Sequence, residues 1–169
     1  MKKLWLLLLF LVSSLTASAQ EVHIDGRLQP LLNEFFEICK SYGIDYHDQL
    51  FKLESIDIVN TLTVSEEGST LGMLRRNGDG EVIAIEINWM AQLDAEILKI
   101  VAFHEFAHYF LEYSTHICHD CGKIMSVVNS SYFDIAKDWD NQVKILFEES
   151  PALKKKYALA GLIYHVNKP

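Results

Sequence analysis

Apolar and polar positions follow two different periods in the first half of the chain. Between Leu28 and Tyr42 the apolar side chains recur every three or four residues, and Gly43 follows as a typical helix stop. This pattern predicts an N-terminal helix. The next apolar stretch, residues 51–64, is rich in β-branched side chains and alternates around Ile56-Asp57-Ile58, which predicts a strand.

Two further runs, residues 70–76 and 81–87, flank the sequence Asn77-Gly78-Asp79-Gly80. Because this sequence contains two consecutive turn-forming dipeptides, the runs predict a β-hairpin. The second run is apolar at odd and even positions alike, as in a strand that is buried on both faces. From Asp94 to about Tyr113 the pattern becomes helical again, with Asp94 as the predicted N-cap.

The C-terminal third predicts further helix. A helical region begins near Tyr132 and extends to Glu149, and Pro151 either interrupts it or begins another short helix. The order helix, strands, long helix, loop, helix indicates an α+β domain with a small mixed or antiparallel sheet. No repeat or linker divides residues 20–169, so we expect a single domain there.

The first 19 residues have the pattern of a signal peptide. Lys2 and Lys3 precede an apolar stretch that is too short to span a bilayer, and Ala17-Ser18-Ala19 follows as a cleavage site. We expect cleavage after Ala19 and a secreted or periplasmic protein that begins at Gln20. A retained signal anchor is the alternative that the short apolar stretch disfavours.

Charge excludes some classes of partner. The 169 residues carry a formal net charge of −8, and removal of the two lysines of the predicted signal peptide makes it −10. Such acidity argues against nucleic acid and against an anionic membrane surface as partners. After residue 19 no apolar stretch approaches the roughly 18 residues that a membrane helix needs, so we expect no membrane association after signal cleavage.

The predicted long helix contains the sequence His104-Glu105-Phe106-Ala107-His108, an HExxH motif. Side chains four residues apart lie on one helical face, so both imidazoles can bind one metal ion. Glu105 points away from that face but can reach a metal-activated water and serve as general base. The motif predicts a zinc site, because zinc lowers the pKa of water and polarises a carbonyl. Two ordinary histidines on a helix are the alternative.

A catalytic zinc site needs a third protein ligand and leaves one position open. His116 is the first choice, since it follows closely after the predicted end of the helix, and His119 is the second. An acidic ligand on the following helix stays open as well. Its candidates are Asp134, Asp138, Glu148 and Glu149.

Three cysteines are present, and Cys118 and Cys121 form a CxxC pair far from Cys39. In an oxidising compartment a local disulfide between Cys118 and Cys121 is at least as plausible as metal binding. A CxxC redox protein is disfavoured, because no thioredoxin-like order of strands and helices surrounds the pair. The odd count leaves at least one thiol without a partner in the chain.

The region around the motif resembles the metzincin zinc peptidases. Their signature is HExxHxxGxxH followed by a methionine turn, and here the HExxH precedes His116 and Ile124-Met125-Ser126, which looks like that turn. The chain has Leu111 in place of the glycine, and the third histidine of the signature would fall at Ser114. The stretch leading from Ile85-Glu86-Ile87 into the motif also resembles small secreted bacterial zincins.

The resemblance covers roughly residues 28–149 and implies a zincin-like fold. In such families Met125 would support the metal site from below, and ordinary core packing explains the residue equally well. Tyr132 could stabilise an oxyanion, but a buried aromatic at a helix start is the simpler interpretation.

The function that we expect is a secreted zinc-dependent peptidase that hydrolyses peptide bonds of a peptide or protein substrate. The strand predicted at residues 81–87 could offer an edge to an extended substrate. The alternative is a non-catalytic, zinc-binding or partner-binding secreted module. The small size of the chain favours this alternative. Glu105 favours the enzyme, because a purely structural site has no use for a carboxylate between its histidines. Substrate preference and oligomeric state are not predicted.

Overall fold

A computed structural model describes residues 21–62, 64–65, 68–127, 131–159 and 161. The predicted signal peptide, residues 1–19, lies outside the described residues. Within the described part of the chain, no helix has both the length and the apolar character needed to cross a membrane.

The centre of the fold is a four-stranded sheet, and a separate pair of short strands accompanies it. The strands are β1 (His23–Ile24), β2 (Ser55–Val59), β3 (Val64–Ser65), β4 (Gly68–Ser69), β5 (Gly72–Arg76) and β6 (Val82–Asn88). The four-stranded sheet has the order β1-β2-β6-β5. β1 pairs in parallel with β2, β2 pairs in parallel with β6, and β5 pairs antiparallel with β6. The predicted hairpin is thus confirmed as β5 and β6, and the sheet is mixed. A separate two-stranded ladder joins β3 to β4.

Two sequence predictions about strands need correction. Of the strand predicted over residues 51–64, Ser55–Val59 lie in β2 and Val64 lies in β3, while a short helix and a turn occupy residues 47–52. The run predicted to offer an edge, residues 81–87, is the interior strand β6, which has partners on both sides. Its apolar character on both faces reflects this central position. Among the described strands, β5 forms the edge of the sheet on this side.

Six α-helices and one 3₁₀ turn complete the described fold. The N-terminal helix is confirmed, and Gly43 ends it with a left-handed φ of 62°. The long helix begins at the predicted cap, where Asp94 accepts hydrogen bonds from two backbone N–H groups, but it ends at Phe110 and not near Tyr113. The helices are α1 (Gln29–Tyr42), α2 (His47–Leu50), α3 (Ala95–Phe110), α4 (Tyr132–Lys137), α5 (Trp139–Glu148) and α6 (Pro151–Leu159), and the 3₁₀ turn is Trp89–Leu93.

The predicted helical region after Tyr132 is divided at Asp138 into α4 and α5, and Pro151 begins α6. The α+β architecture with an N-terminal helix, a long central helix and C-terminal helices is therefore confirmed. The C-terminal part has more breaks than its pattern predicts.

The core forms around α3, which is apolar on nearly all of its faces. Residues 100–103 are all buried, and four consecutive positions cover a full turn of helix. Phe35 of α1 lies at the centre, with its ring centroid 5.3 Å from Phe103, 5.5 Å from Phe106 and 5.1 Å from Phe147. A helix that is enclosed in this way has its position fixed by packing from several sides.

Candidate metal centre

Three imidazoles meet at the C-terminal end of α3. The Nε2 atom of His104 lies 3.1 Å from Nε2 of His108 and 3.1 Å from Nε2 of His116, and the remaining pair is 3.3 Å apart. Among the described residues these three form a group whose donor atoms could hold one metal ion. The structure therefore brings together all three histidines that the sequence singles out as first choices.

Backbone carbonyls fix the orientation of the two helical histidines. Nδ1 of His104 lies 2.6 Å from the carbonyl oxygen of Ile124, and Nδ1 of His108 lies 2.6 Å from that of Tyr113. A carbonyl oxygen only accepts hydrogen bonds, so each Nδ1 carries the proton and donates it. In a neutral imidazole the Nε2 atom then presents a lone pair toward the other histidines.

The electrostatic environment keeps these two rings neutral. Burial, with a smaller contribution from the neighbouring His108 and His116, lowers the pKa of His104 to about 4 against the opposing effect of the Ile124 carbonyl. Burial also lowers the pKa of His108. Two neutral rings with facing lone pairs cannot hydrogen-bond to each other through these atoms, whereas a cation between them satisfies both.

The turn after α3 carries the chain back to the site. Leu111, at the position of the metzincin glycine, has an ordinary φ of −98°, and the left-handed conformation falls one residue later, on Glu112 with φ of 61°. The carboxylate of Glu112 pairs with Lys155 Nζ at 2.9 Å, and the Leu111 carbonyl accepts a hydrogen bond from Ala152 N–H at 3.1 Å. The start of α6 thus holds the turn that precedes His116.

A loop that contains a disulfide supplies the other side of the site. Cys118 and Cys121 are joined by a disulfide, as the oxidising-compartment interpretation predicts, and so they are not metal ligands in this structure. The two ends of the loop pair with each other, since Ile117 N–H donates to the Met125 carbonyl and Val127 N–H donates to the Cys118 carbonyl, both at 3.0 Å. This one loop begins beside His116 and carries the Ile124 carbonyl that orients His104.

Glu105 is only 6% exposed and lies between the two helical histidines in sequence. No described residue donates a hydrogen bond to its carboxylate, and burial alone raises its pKa to about 8. A carboxyl group with a pKa near neutrality can accept and release a proton at moderate pH, as general acid–base chemistry requires.

The remaining candidates lie outside the three-histidine group. His119 is exposed and does not join it, and neither does any of the acidic alternatives, Asp134, Asp138, Glu148 and Glu149. Ser131 caps α4 by accepting a hydrogen bond from Asp134 N–H, and its hydroxyl donates to the Asp134 carboxylate, while Glu149 lies 3.8 Å from Lys123. Met125 is buried in the core, and Tyr132 packs half-buried against it.

Sequence reasoning missed the groups that orient the candidate ligands His104 and His108. They are the carbonyl oxygens of Tyr113 and Ile124, and a backbone carbonyl has no residue-type signature. Ile124 belongs to the segment that resembles a methionine turn, but that resemblance implies no role for the Ile124 carbonyl. Comparison of the chain with models of protein families, with curated proteins and with solved structures finds no match.

Proposed function

We propose that the protein is a secreted zinc metallopeptidase with a zincin-like catalytic domain. The observation that carries this proposal is the convergence of three Nε2 atoms, from His104, His108 and His116, at the end of a helix that also carries the buried Glu105 in the HExxH order. Three imidazoles with one open position, together with a glutamate that follows the first histidine of an HExxH motif, are the components of a hydrolytic zinc site.

The donor set fits zinc. Imidazole nitrogens bind zinc at about 2.0–2.1 Å, so two of them on a tetrahedral ion are roughly 3.3–3.4 Å apart. The three separations here, 3.1, 3.1 and 3.3 Å, need only a small expansion to match. Because two of the rings already present their Nε2 lone pairs, little rearrangement is needed for binding.

Each residue then has a defined task. A bound zinc ion supplies Lewis acidity, which lowers the pKa of water and polarises a carbonyl. Glu105 takes a proton from the attacking water and delivers it to the leaving amine of the peptide. The carbonyls of Ile124 and Tyr113 keep His104 and His108 aligned throughout.

Export is supported by two independent features. The first 19 residues have the pattern of a signal peptide, and Cys118 and Cys121 form a disulfide, which persists in oxidising compartments. Peptides or proteins outside the cytoplasm are therefore the proposed substrates.

The test compares wild type with Glu105→Gln in a peptide-library cleavage assay at equal zinc content. The substitution keeps size and removes the base, so zinc should still bind while the rate falls by ~10²–10⁴-fold. Glu96→Gln is the matched control, because Glu96 is an exposed carboxylate on the same helix, in its first turn. It should leave the rate unchanged.

Two results would count against the peptidase. If wild type binds zinc and cleaves nothing across a broad library, a non-catalytic zinc-binding module becomes the better description. If wild type and Glu105→Gln cleave at the same rate, the assigned role of Glu105 is wrong.

A further inference from the structure

Gly72, the first residue of β5, passes directly against the side chain of Glu105. A Cβ atom built on Gly72 would lie 2.5 Å from Cγ and 2.7 Å from Cδ of Glu105. Non-bonded carbon atoms normally approach to about 3.5–4.0 Å. No side chain at position 72 is therefore compatible with the present position of the Glu105 carboxyl group.

Backbone conformation does not explain this glycine. The described glycines with positive φ are Gly43, Gly80, Gly122 and Gly161, and Gly72 is not among them. Glycine weakens a strand, so within one it often marks a close approach of another group. The remaining reason for a glycine at position 72 is the space that it leaves for a neighbouring group, and that group is the Glu105 side chain.

The strand is also held in place beside Glu105. Gly72 is in register with Ile87 of β6, and the Leu71 carbonyl accepts a hydrogen bond from Asn88 N–H at 2.8 Å. The side-chain amide of Asn88, which is fully buried, donates to the Thr70 carbonyl at 2.9 Å. With this backbone fixed, an added side chain displaces the end of the flexible Glu105 side chain and not the strand.

We propose that Gly72 is a positioning residue that sets where the Glu105 carboxyl group lies relative to the three histidines. It touches neither substrate nor metal, and it acts through the space that its missing side chain leaves. The consequence for catalysis rests on the proposed peptidase function. The positioning itself does not, and it can be measured without any substrate.

The first experiment is a double-mutant cycle in thermal stability on the full-length mature protein, with Gly72→Ala and Glu105→Ala. Alone, Gly72→Ala should lower the melting temperature by roughly 3–10 °C, the range expected for overpacking in a chain of this size. In the Glu105→Ala background, Gly72→Ala should lower the melting temperature by less than about 2 °C, because the Glu105 atoms that would clash are absent. If Gly72→Ala does not fold alone, recovery of folding in the double variant is the supporting result.

Gly78→Ala is the matched control. Gly78 lies in the β5–β6 turn, has no positive φ, and a Cβ there would meet nothing within 4 Å. Its substitution should change neither stability nor activity in either background. Equal destabilisation by Gly72→Ala in both Glu105 backgrounds would overturn the positioning role.

The second experiment measures peptide cleavage by zinc-loaded Gly72→Ala. We expect kcat to fall by ~10²-fold with KM and zinc content unchanged, since a displacement of about 1 Å in a reacting group costs this much. If the stability effects of the Gly72 and Glu105 substitutions are coupled but kcat of Gly72→Ala is unchanged, the proposed effect of Gly72 on catalysis is wrong. A wild type that cleaves nothing would overturn the proposed function, while the stability cycle would still decide whether Gly72 positions Glu105.

Discussion

The Nδ1 atom of His108 lies 2.6 Å from the carbonyl oxygen of Tyr113, a residue in the turn that ends α3. Tyr113 is itself anchored, because its buried hydroxyl donates to the Leu146 carbonyl in α5 at 2.9 Å. The orientation of one proposed metal ligand thus depends on a contact between the turn and a different helix.

This relationship predicts that Tyr113→Phe weakens zinc binding although it removes no ligand. Loss of groups that orient metal ligands typically costs ~10–100-fold in affinity, and the indirect contact here should fall near the lower value. Tyr109→Phe is the control, because the Tyr109 hydroxyl also donates to a backbone carbonyl, that of Gln49, at 2.8 Å. Competition with a fluorescent chelator measures both. Equal affinity losses in the two variants would contradict the prediction.

His116→Ala should remove more zinc affinity than Tyr113→Phe does, by at least ~100-fold relative to wild type, because a direct ligand is lost. His119→Ala provides the comparison, since His119 is three residues away, exposed and outside the histidine group. It should bind zinc as wild type does. Metal analysis after dialysis distinguishes the two, and unchanged zinc content in His116→Ala would remove this residue from the site.

The disulfide should matter to the metal and less to the fold. Replacing both cysteines by serine, in Cys118→Ser/Cys121→Ser, frees the loop that joins His116 to the Ile124 carbonyl. We expect zinc affinity to fall by ~10–100-fold, as for other groups that orient ligands. The far-UV spectrum should stay the same, because the loop contains no helix and a single short β-bridge. Wild-type affinity in the double variant would show that backbone pairing alone holds the loop.

Glu112 should be a site of stored backbone strain. A non-glycine residue in the left-handed region costs roughly 1–2 kcal/mol. Glu112→Gly and Glu112→Ala both lose the ion pair with Lys155, so their difference isolates the backbone effect. After allowance for the greater freedom of glycine in the unfolded chain, the glycine variant should have the higher free energy of unfolding, by about 0.5–1 kcal/mol. Urea denaturation measures this, and an alanine variant of equal or greater stability would disprove it.

Local patterns predicted those parts of the fold that depend on neighbouring residues. Gly43, Asp94 and the Asn77–Gly80 turn mark element ends through their own conformational preferences, and each is found as predicted. The helix pair His104 and His108 follows from the 3.6-residue period alone. The edge predicted at residues 81–87 is wrong because it depends on long-range packing. β6 is an interior strand, since β2 pairs with its other side.

His116, the third proposed ligand, also combines a local and a long-range contribution. Spacing favoured His116, but the turn that delivers it uses a left-handed glutamate, and sequence rules do not place such a conformation at Glu112. Contacts with α6, which lies some forty residues later, hold this turn. No local pattern contains that information.

The enclosure of α3 by the core affects how the proposed metal centre can lose its ion and take it up again. Many small metal-binding domains unfold when the ion is removed, because metal binding supplies the stability that a hydrophobic core would otherwise provide. Here two ligands belong to a helix that aromatic packing around Phe35 already holds, so the empty protein should keep its shape. Export in an unfilled state followed by loading outside the cytoplasm is then physically feasible. Chelation and refilling should form a reversible cycle.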